Sequence, residues 1–446
     1  MQMHSLVHGF TSHQISTIEH KTGHEKGNDA HRHTKAITRR NPMSKQRFDV
    51  QRHLDHAYVA RQNGDVPQPQ PGEALLQMVA CGICGADVRV VTRNKAASGE
   101  AGRYTTLGHE GIGRVVALGD NIPGLQLGDY AVVLPHIHDH ERAPQCFASS
   151  INPVCIGCGH TLHMGWDIDG CFADFMVVPI TNIVRIDRQY LHIAARQAPR
   201  LREAVFALVE PMLCTLSAYE LAEIHLEHEL SPGRALVIGC GPIGILHSLA
   251  LLDRGFEVWL TDTVRKRTEL AQWCLDHRGR VFDPERPTEM FDLVMVTASS
   301  SAAVRTAEEF VRKGGIVYLF AGLNTADRAA MDRENLFLYE SLHRRAQGIR
   351  TTLRLGQEEK SVLYLGHSGY FEHLAPRAIA AVAANAAALD RAVTGIIPGF
   401  ASPHIVSRLP GGVDWTTGDE SPAIVAILNG TDLRERHCKL LVLSDA

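Results

Sequence analysis

The stretch Ala235-Leu-Val-Ile-Gly-Cys-Gly-Pro-Ile-Gly244 places three glycines at G-x-G-x-x-G spacing directly after a short apolar run. Leu236–Ile238 has the composition of a strand that is buried on both faces. Gly239 suits a tight turn, Gly241 a close approach of the backbone to a pyrophosphate, and Gly244 close packing of a helix on the strand. The free N–H groups at the start of the following helix favour phosphate.

A second strand is predicted at Val258–Leu260, and Asp262 lies at its end. A carboxylate there can accept hydrogen bonds from the adenosine ribose and repels a 2′-phosphate, so NAD is expected in preference to NADP. Pro242 and Ile243, inside the glycine triplet, are included among the predicted cofactor contacts. The alternative is an ordinary glycine turn, but strand, glycines, helix, strand and acid in one unit favour dinucleotide binding.

Length and composition set the remaining bounds. A chain of 446 residues that is 45% hydrophobic can bury a large core, and two domains are expected. The formal net charge of −4 argues against a nucleic-acid partner. We find no run of eighteen apolar residues and expect no membrane partner. The 10 irregularly spaced cysteines favour free thiols and metal ligands in a reducing, cytoplasmic setting.

The first 42 residues differ from the rest in carrying seven histidines and few apolar residues. This composition favours a disordered extension, or a start codon assigned too early with the real one at Met43, over a metal-binding tail. Further along the chain, we predict a strand at 315–321, a charged insertion at 344–360 and a single helix at 375–388.

Three further motifs lie between the extension and the glycine unit. They are Cys81-Gly-Ile-Cys-Gly-Ala-Asp87, the glycine-rich segment Leu107–Gly119 that contains His109 and Glu110, and the turn Gly128-Asp129. Cys81 and Cys84 have the spacing of half a four-cysteine zinc site, but no matching pair follows nearby.

Together these motifs resemble the zinc-dependent medium-chain dehydrogenase/reductase family, over roughly residues 45 to 440 in order. The resemblance implies an α/β fold in which a GroES-like β-barrel catalytic domain is split by an inserted Rossmann domain with a doubly wound parallel sheet. The expected limits are 1–42 for the extension, 43–200 for the first part of the catalytic domain, 201–370 for the Rossmann domain and 371–446 for the C-terminal return.

The resemblance also implies roles for individual residues. Cys84, His109 and Glu210 match the catalytic zinc ligands of the sorbitol dehydrogenase branch, and three ligands leave an open position for substrate. Glu110, next to a ligand, could move onto the zinc or hold its water. Arg267 matches an arginine that lies against the adenine, although a solvated helix charge is an equal alternative.

Two features depart from the family pattern. The hydroxyl and the histidine of its proton relay are replaced by Ala86 and Arg89, whereas Asp87 is kept and is expected to orient the loop. The segment that holds a structural zinc in the family has only one pair at ligand spacing, so we predict about one zinc per chain. The candidate donors of this degenerate lobe are Cys146, Cys155, Cys158, His160, His163 and Cys171.

The resemblance therefore implies a zinc-dependent oxidoreductase that transfers a hydride between NAD and a secondary alcohol, with a polyol, cyclitol or sugar derivative as the expected substrate. Alternatives are a sugar-phosphate (ketose-phosphate) reductase, a zinc-free NAD(P)H reductase of enones or quinones, and a catalytically inactive binding protein. The expected partners are a small alcohol or sugar substrate and further copies of the chain in a homodimer or homotetramer.

Overall fold

The structure is a computed structural model. It describes residues 66–88, 106–120, 122–137, 161–324, 326–330, 336, 339–342, 348–355, 359–400 and 439–444, and only the backbone of 48–52, 58–62, 89–92, 138, 325, 358, 404–407 and 415–416. The predicted N-terminal extension therefore lies outside the described residues.

The strands and helices are numbered in chain order. The strands are β1 (Phe48–Arg52), β2 (Tyr58–Gln62), β3 (Glu73–Gly82), β4 (Glu110–Leu118), β5 (Tyr130–Val133), β6 (His136–His138), β7 (Thr161–His163), β8 (Phe175–Pro179), β9 (Ile183–Arg185), β10 (Arg234–Ile238), β11 (Glu257–Thr261), β12 (Arg280–Val281), β13 (Phe291–Val296), β14 (Val311–Leu319), β15 (Gly348–Leu355), β16 (Glu358–Gly366), β17 (Val393–Pro398), β18 (His404–Ser407), β19 (Trp415–Thr416) and β20 (Lys439–Leu443). The helices are α1 (Gly85–Thr92), α2 (Arg188–Gln197), α3 (Val209–Leu226), α4 (Pro242–Asp253), α5 (Arg265–Cys274), α6 (Ser301–Phe310), α7 (Thr325–Ala330), α8 (Ala375–Ala384) and α9 (Ala386–Ala392).

One sheet, which we call the split sheet, is built from both ends of the described chain. Its order is β19-β18-β17-β20-β3-β4-β5-β9, and β8 also pairs with β3. The C-terminal strand β20 pairs antiparallel with β3, so that Leu441 faces Gly82. The last part of the chain thus returns to the first half, as the predicted split domain requires. The exact domain limits remain a prediction.

The second sheet, which we call the parallel sheet, has the order β12-β11-β10-β13-β14-β16-β15. All neighbouring pairs are parallel except β15 and β16, which form an antiparallel hairpin at one edge. The inner strands β10 and β13 are nearly continuous apolar runs because helices cover the faces of such a sheet. The hairpin occupies much of the segment 344–360 that the sequence marks as an insertion.

Two predicted boundaries differ from the structure. Strand β14 begins at Val311, before the predicted start at residue 315. Val311 pairs with Phe291 and Ile316 with Leu293 of β13, so β14 has extra residues between these two pairs and the register shifts there. Gly314, with φ of 79°, allows this irregularity. In the sequence the pair Gly314-Gly315 is typical of a turn, which is why the sequence predicts the strand only from Gly315. The helix predicted at 375–388 is two helices. Asn385 separates them, and its side chain donates to Asp253 Oδ2 at 2.7 Å.

The helical segment Arg202–Leu226 joins the two sheets along the chain. It starts as a 3₁₀ helix, Arg202–Leu208, and continues as α3. By length and composition it could cross a membrane, but 89% of its most apolar window is buried inside the protein. It is packed as a core helix, and Glu210 in its first turn is placed by this packing.

Candidate functional site

Cys84, His109 and Glu110 form a compact cluster in which one ligand atom of each lies within 4.8 Å of the others. Cys84 directly precedes α1, and its Sγ accepts a hydrogen bond from the Ala86 N–H at 3.4 Å. Glu110 is the first residue of β4 and His109 directly precedes it; the pairing of β4 with β3 sets Glu110 opposite Gly82. A Cβ at Gly82 would lie 1.9 Å from the Glu110 carboxylate, so glycine leaves the space that the carboxylate fills.

The turn before His109 needs glycine for the same kind of reason. Gly108 has φ of 92°, and a Cβ there would lie 2.7 Å from the Phe172 ring. The Gly108 carbonyl also accepts a hydrogen bond from the Cys171 N–H at 2.9 Å. Turn geometry and long-range packing together fix the direction in which His109 leaves the chain.

Asp87 orients both ends of this cluster, as the sequence predicts. It is fully buried, its Oδ2 accepts from the Cys84 N–H at 2.8 Å, and its Oδ1 lies 3.2 Å from His109 Nδ1. That last contact is an ion pair that lacks the alignment of a hydrogen bond. Burial alone would lower the pKa of His109, but Asp87 and Cys84 outweigh it and raise the pKa well above its ordinary value. Holding Nδ1 in this way leaves Nε2 for a metal.

Lys439 is the functional residue that sequence reasoning missed. Its ammonium group is buried with a 5% exposed fraction, forms an ion pair with the Glu110 carboxylate, and donates to the Ile83 carbonyl at 3.2 Å. Burial would lower the pKa of Lys439, yet Glu110 and Cys84 raise it. The only sequence signal is a lone lysine at the start of the apolar run of β20. Its partner lies 329 residues away in the chain.

Glu210 lies near the cluster but is not one of its three mutually close groups. Its carboxyl is 7% exposed, and the Cys214 Sγ, one helical turn on, lies 3.6 Å from Oε1 as a donor. Burial raises the pKa of Glu210 to about 7, with His109 lowering it and Glu110 raising it. The structure therefore brings Glu210 within electrostatic reach of His109 and Glu110. Glu110, and not Glu210, is the carboxylate that lies close to Cys84 and His109.

This donor set fits zinc. A thiolate, an imidazole and carboxylates are ligands that Zn²⁺ accepts, and the buried Asp87 supports the histidine as carboxylates do in zinc sites. Of the degenerate lobe, only His163 and Cys171 lie among the described residues. Cys171 is fully buried in the apolar core, with its Sγ 3.8 Å from Met176 Sδ. These contacts indicate a packing role and not metal binding.

His163 belongs to an aromatic group beside the cluster that the sequence did not reveal. Its ring lies edge-on to His109 at 5.3 Å and is stacked on Trp166 at 4.1 Å. The His136 ring lies 4.6 Å from His163 and 4.7 Å from Tyr370. Burial lowers the pKa of His163 to about 3, so this ring stays neutral. Ala86, at the relay position, is buried and offers no hydroxyl; the side chain of Arg89 lies outside the described residues.

The glycine turn has the predicted form. Gly239 has φ of 106°, and a Cβ on Gly244 would lie 1.9 Å from the Gly239 carbonyl. A Cβ on Gly241, in contrast, would meet nothing within 4 Å, which leaves that face of the turn open. Pro242 is the first residue of α4, and Ile243 is half-buried beside it.

Asp262 closes this turn from the end of β11. Its Oδ2 accepts from the Cys240 N–H and its Oδ1 from the Val264 N–H, each at 2.8 Å. Each carboxylate oxygen keeps a second lone pair that a ribose hydroxyl could use. Arg267, on α5, is exposed. Its backbone N–H donates a hydrogen bond to the Val264 carbonyl at 2.9 Å.

Comparison with known proteins also indicates a dehydrogenase. Residues 70–188 match the family described as Alcohol dehydrogenase GroES-like domain. The chain is 29% identical over 279 residues to an L-threonine 3-dehydrogenase of Caldanaerobacter subterraneus, covering 59% of this chain and 72% of that protein. It is 28% identical over 280 residues to the L-galactonate-5-dehydrogenase of Escherichia coli, covering 60% and 74%.

Solved structures share the fold. A zinc-binding dehydrogenase from Sinorhizobium meliloti, bound to NADP, matches with a TM-score of 0.63 and 20% identity, over 90% of this chain and 99% of that one. Galactitol-1-phosphate dehydrogenase from Escherichia coli matches with a TM-score of 0.62 and 17% identity, over 89% and 99%. At this identity the likeness concerns the fold alone.

The two sheets and the donor cluster define a two-domain, metal-dependent oxidoreductase fold. The chain is similar to the zinc-dependent medium-chain dehydrogenase/reductase family, through its GroES-like segment and through relatives of 28–29% identity that are named dehydrogenases. The predicted family, fold class and enzyme class are confirmed.

Proposed function

We propose that the chain oxidises a secondary alcohol of a polyol, cyclitol or sugar derivative with NAD, using zinc held by Cys84, His109 and Glu210. The cluster of Cys84, His109 and Glu110 carries the metal part of this proposal, because it brings three donors within 4.8 Å from two separate segments of chain. Glu210, which lies near this cluster, is proposed as the third ligand on the family resemblance. Relatives named for galactonate and glucose, both polyhydroxy compounds, support the substrate class.

Zinc and NAD, when bound, supply a Lewis acid that acidifies the substrate hydroxyl and an acceptor for the hydride. Cys84 would supply a thiolate ligand, and Asp87, which lies against Nδ1 of His109, would leave Nε2 of that ring as the ligand atom. Lys439 neutralises Glu110, so that this carboxylate of the cluster is not an unpaired buried charge.

The glycine turn and Asp262 form the proposed NAD site. The open face at Gly241 lets backbone approach a pyrophosphate, and the N-terminus of α4 favours its charge. The Asp262 carboxylate, held by two backbone N–H groups, faces the ribose position and repels a 2′-phosphate. Arg267 is proposed to lie along the adenine.

The test is a screen of zinc-loaded protein against polyols, cyclitols, sugars and sugar phosphates, with NADH absorbance as the readout. We expect turnover of at least one polyhydroxy compound and its loss when a chelator removes the metal. Full activity in chelated, zinc-free protein would instead indicate the zinc-free reductase class. A preference for a phosphorylated sugar would indicate the sugar-phosphate alternative.

A further inference from the structure

The turn that carries Trp166 is fixed against the turn that carries His109. The Gly165 N–H donates to the Ile168 carbonyl at 2.8 Å, and the His163 N–H donates to Asp167 Oδ2 at 2.9 Å. A Cβ on Gly165 would lie 2.6 Å from the Gly108 carbonyl, so the two turns touch through backbone. Trp166 is therefore held in place beside the metal cluster before any substrate arrives.

The indole N–H of Trp166 has no hydrogen-bond partner in the described part of the chain. Its ring is stacked on His163 with an interplanar angle of 17° and lies edge-on to His109 at 6.0 Å. The Nε1 atom is buried, and among the residues that the structure describes it has no hydrogen-bond acceptor. A buried N–H donor left without an acceptor is unfavourable, and such groups in native proteins call for a physical reason. A substrate oxygen would supply the missing acceptor.

The neighbouring His163 complements this donor. Its Nδ1 lies 2.7 Å from the Met164 carbonyl oxygen, which can only accept, so Nδ1 carries the hydrogen. The other ring nitrogen of a neutral imidazole is then an acceptor. A donor on one ring and an acceptor on the ring stacked against it match a hydroxyl group, which both donates and accepts.

We propose that Trp166 determines specificity by donating its indole N–H to a second hydroxyl of the substrate, so that the site takes diols and polyols in preference to simple alcohols. This inference rests on the proposed function and names the feature of the substrate that the site recognises. A site built to hydrogen-bond a hydroxyl discriminates strongly against an analogue that lacks it, because the protein donor is then left unpaired.

The experiment compares wild type with Trp166→Phe, which keeps an aromatic ring and removes only the N–H and one ring. The matched control is Trp273→Phe, at an indole that is 43% exposed on α5. The substrates are 2,3-butanediol and 2-butanol, followed by the polyol that wild type turns over fastest and its analogue with one hydroxyl replaced by hydrogen. Zinc content and NADH affinity of each variant are measured alongside.

We expect Trp166→Phe to lower kcat/KM for the diol or polyol about 10-fold or more, mainly through KM, and to leave the deoxy analogue within about twofold. Trp273→Phe should change neither substrate. Equal losses on both substrates, or no loss on either, would overturn the inference while leaving the proposed function intact. A wild-type enzyme that prefers the deoxy analogue would overturn it too. Failure of wild type on every alcohol would refute the proposed function itself.

Discussion

The glycine turn and the metal cluster are assembled in opposite ways. The turn and its acid come from one continuous segment of chain, Arg234–Asp262, in which strand, turn, helix and strand follow each other. The metal cluster joins the start of α1 to the turn before β4, and the two charged residues beside it, Glu210 and Lys439, come from the first turn of α3 and the start of β20. A contiguous site depends on local conformation, whereas an assembled site depends on the packing of distant segments and on buried charges that must be paired.

The largest expected effect concerns the buried ion pair of the assembled site. Lys439→Met leaves Glu110 as an unpaired buried carboxylate, and we expect the free energy of unfolding to fall by about 3–5 kcal/mol. Urea denaturation of the variant measures this loss. The double variant Lys439→Met with Glu110→Gln should recover a large part of it. A loss below about 1 kcal/mol, as for an exposed pair, would show that the pair is not truly buried.

The contiguous site is tested by two glycines of the same turn. Gly244→Ala places a Cβ 1.9 Å from a backbone carbonyl and should destabilise the protein by about 1–3 kcal/mol. Gly241→Ala meets no atom and should leave the unfolding free energy within about 0.5 kcal/mol. We expect Gly241→Ala instead to weaken NADH binding about 10-fold, because the added methyl meets the pyrophosphate. Equal effects on stability would contradict the geometry of the turn.

The contiguous glycine turn could be predicted from the sequence much more completely than the assembled metal cluster. The glycine turn, its strands and Asp262 lie within thirty residues, so spacing alone predicts them. Cys84, His109 and Glu210 were identified only through resemblance to a family, and the closer position of Glu110 depends on strand pairing. Lys439 could not be predicted, because a lysine at a strand end has no local feature that reveals a partner far away in sequence.

A pH effect sharpens the comparison for the metal site. The pKa of Glu210 is raised to about 7 by burial, so below pH 7 a proton competes with zinc for this carboxyl. Zinc affinity of the metal-free protein should therefore rise steeply up to about pH 7 and less steeply above it. In Glu210→Gln the pH dependence should weaken by about one proton per zinc. Competition titrations with a chromophoric chelator measure both, and identical slopes would argue against Glu210 as a ligand.

The smallest expected effect concerns the choice of cofactor. Asp262 should give wild type a kcat/KM for NAD about 10-fold above that for NADP, since like charges repel at the 2′ position. Asp262→Ser should reduce this ratio, although it also removes an acceptor for the Cys240 and Val264 N–H groups. Arg265 is partly neutralised by Glu269 at 2.8 Å and should offset the repulsion little. A wild-type preference for NADP would contradict this interpretation.

The central claim is that the chain holds a single zinc, and that this zinc is bound at the metal cluster and not by the other cysteines. Elemental analysis of wild type, Cys84→Ala and Cys81→Ala tests it most directly. Cys81 lies three residues from Cys84 but is fully buried in the apolar core, so it controls for loss of a thiol. We predict about one zinc per chain in wild type and in Cys81→Ala, and none in Cys84→Ala, with NADH binding kept in all three. Zinc retained in Cys84→Ala would contradict the metal centre described here.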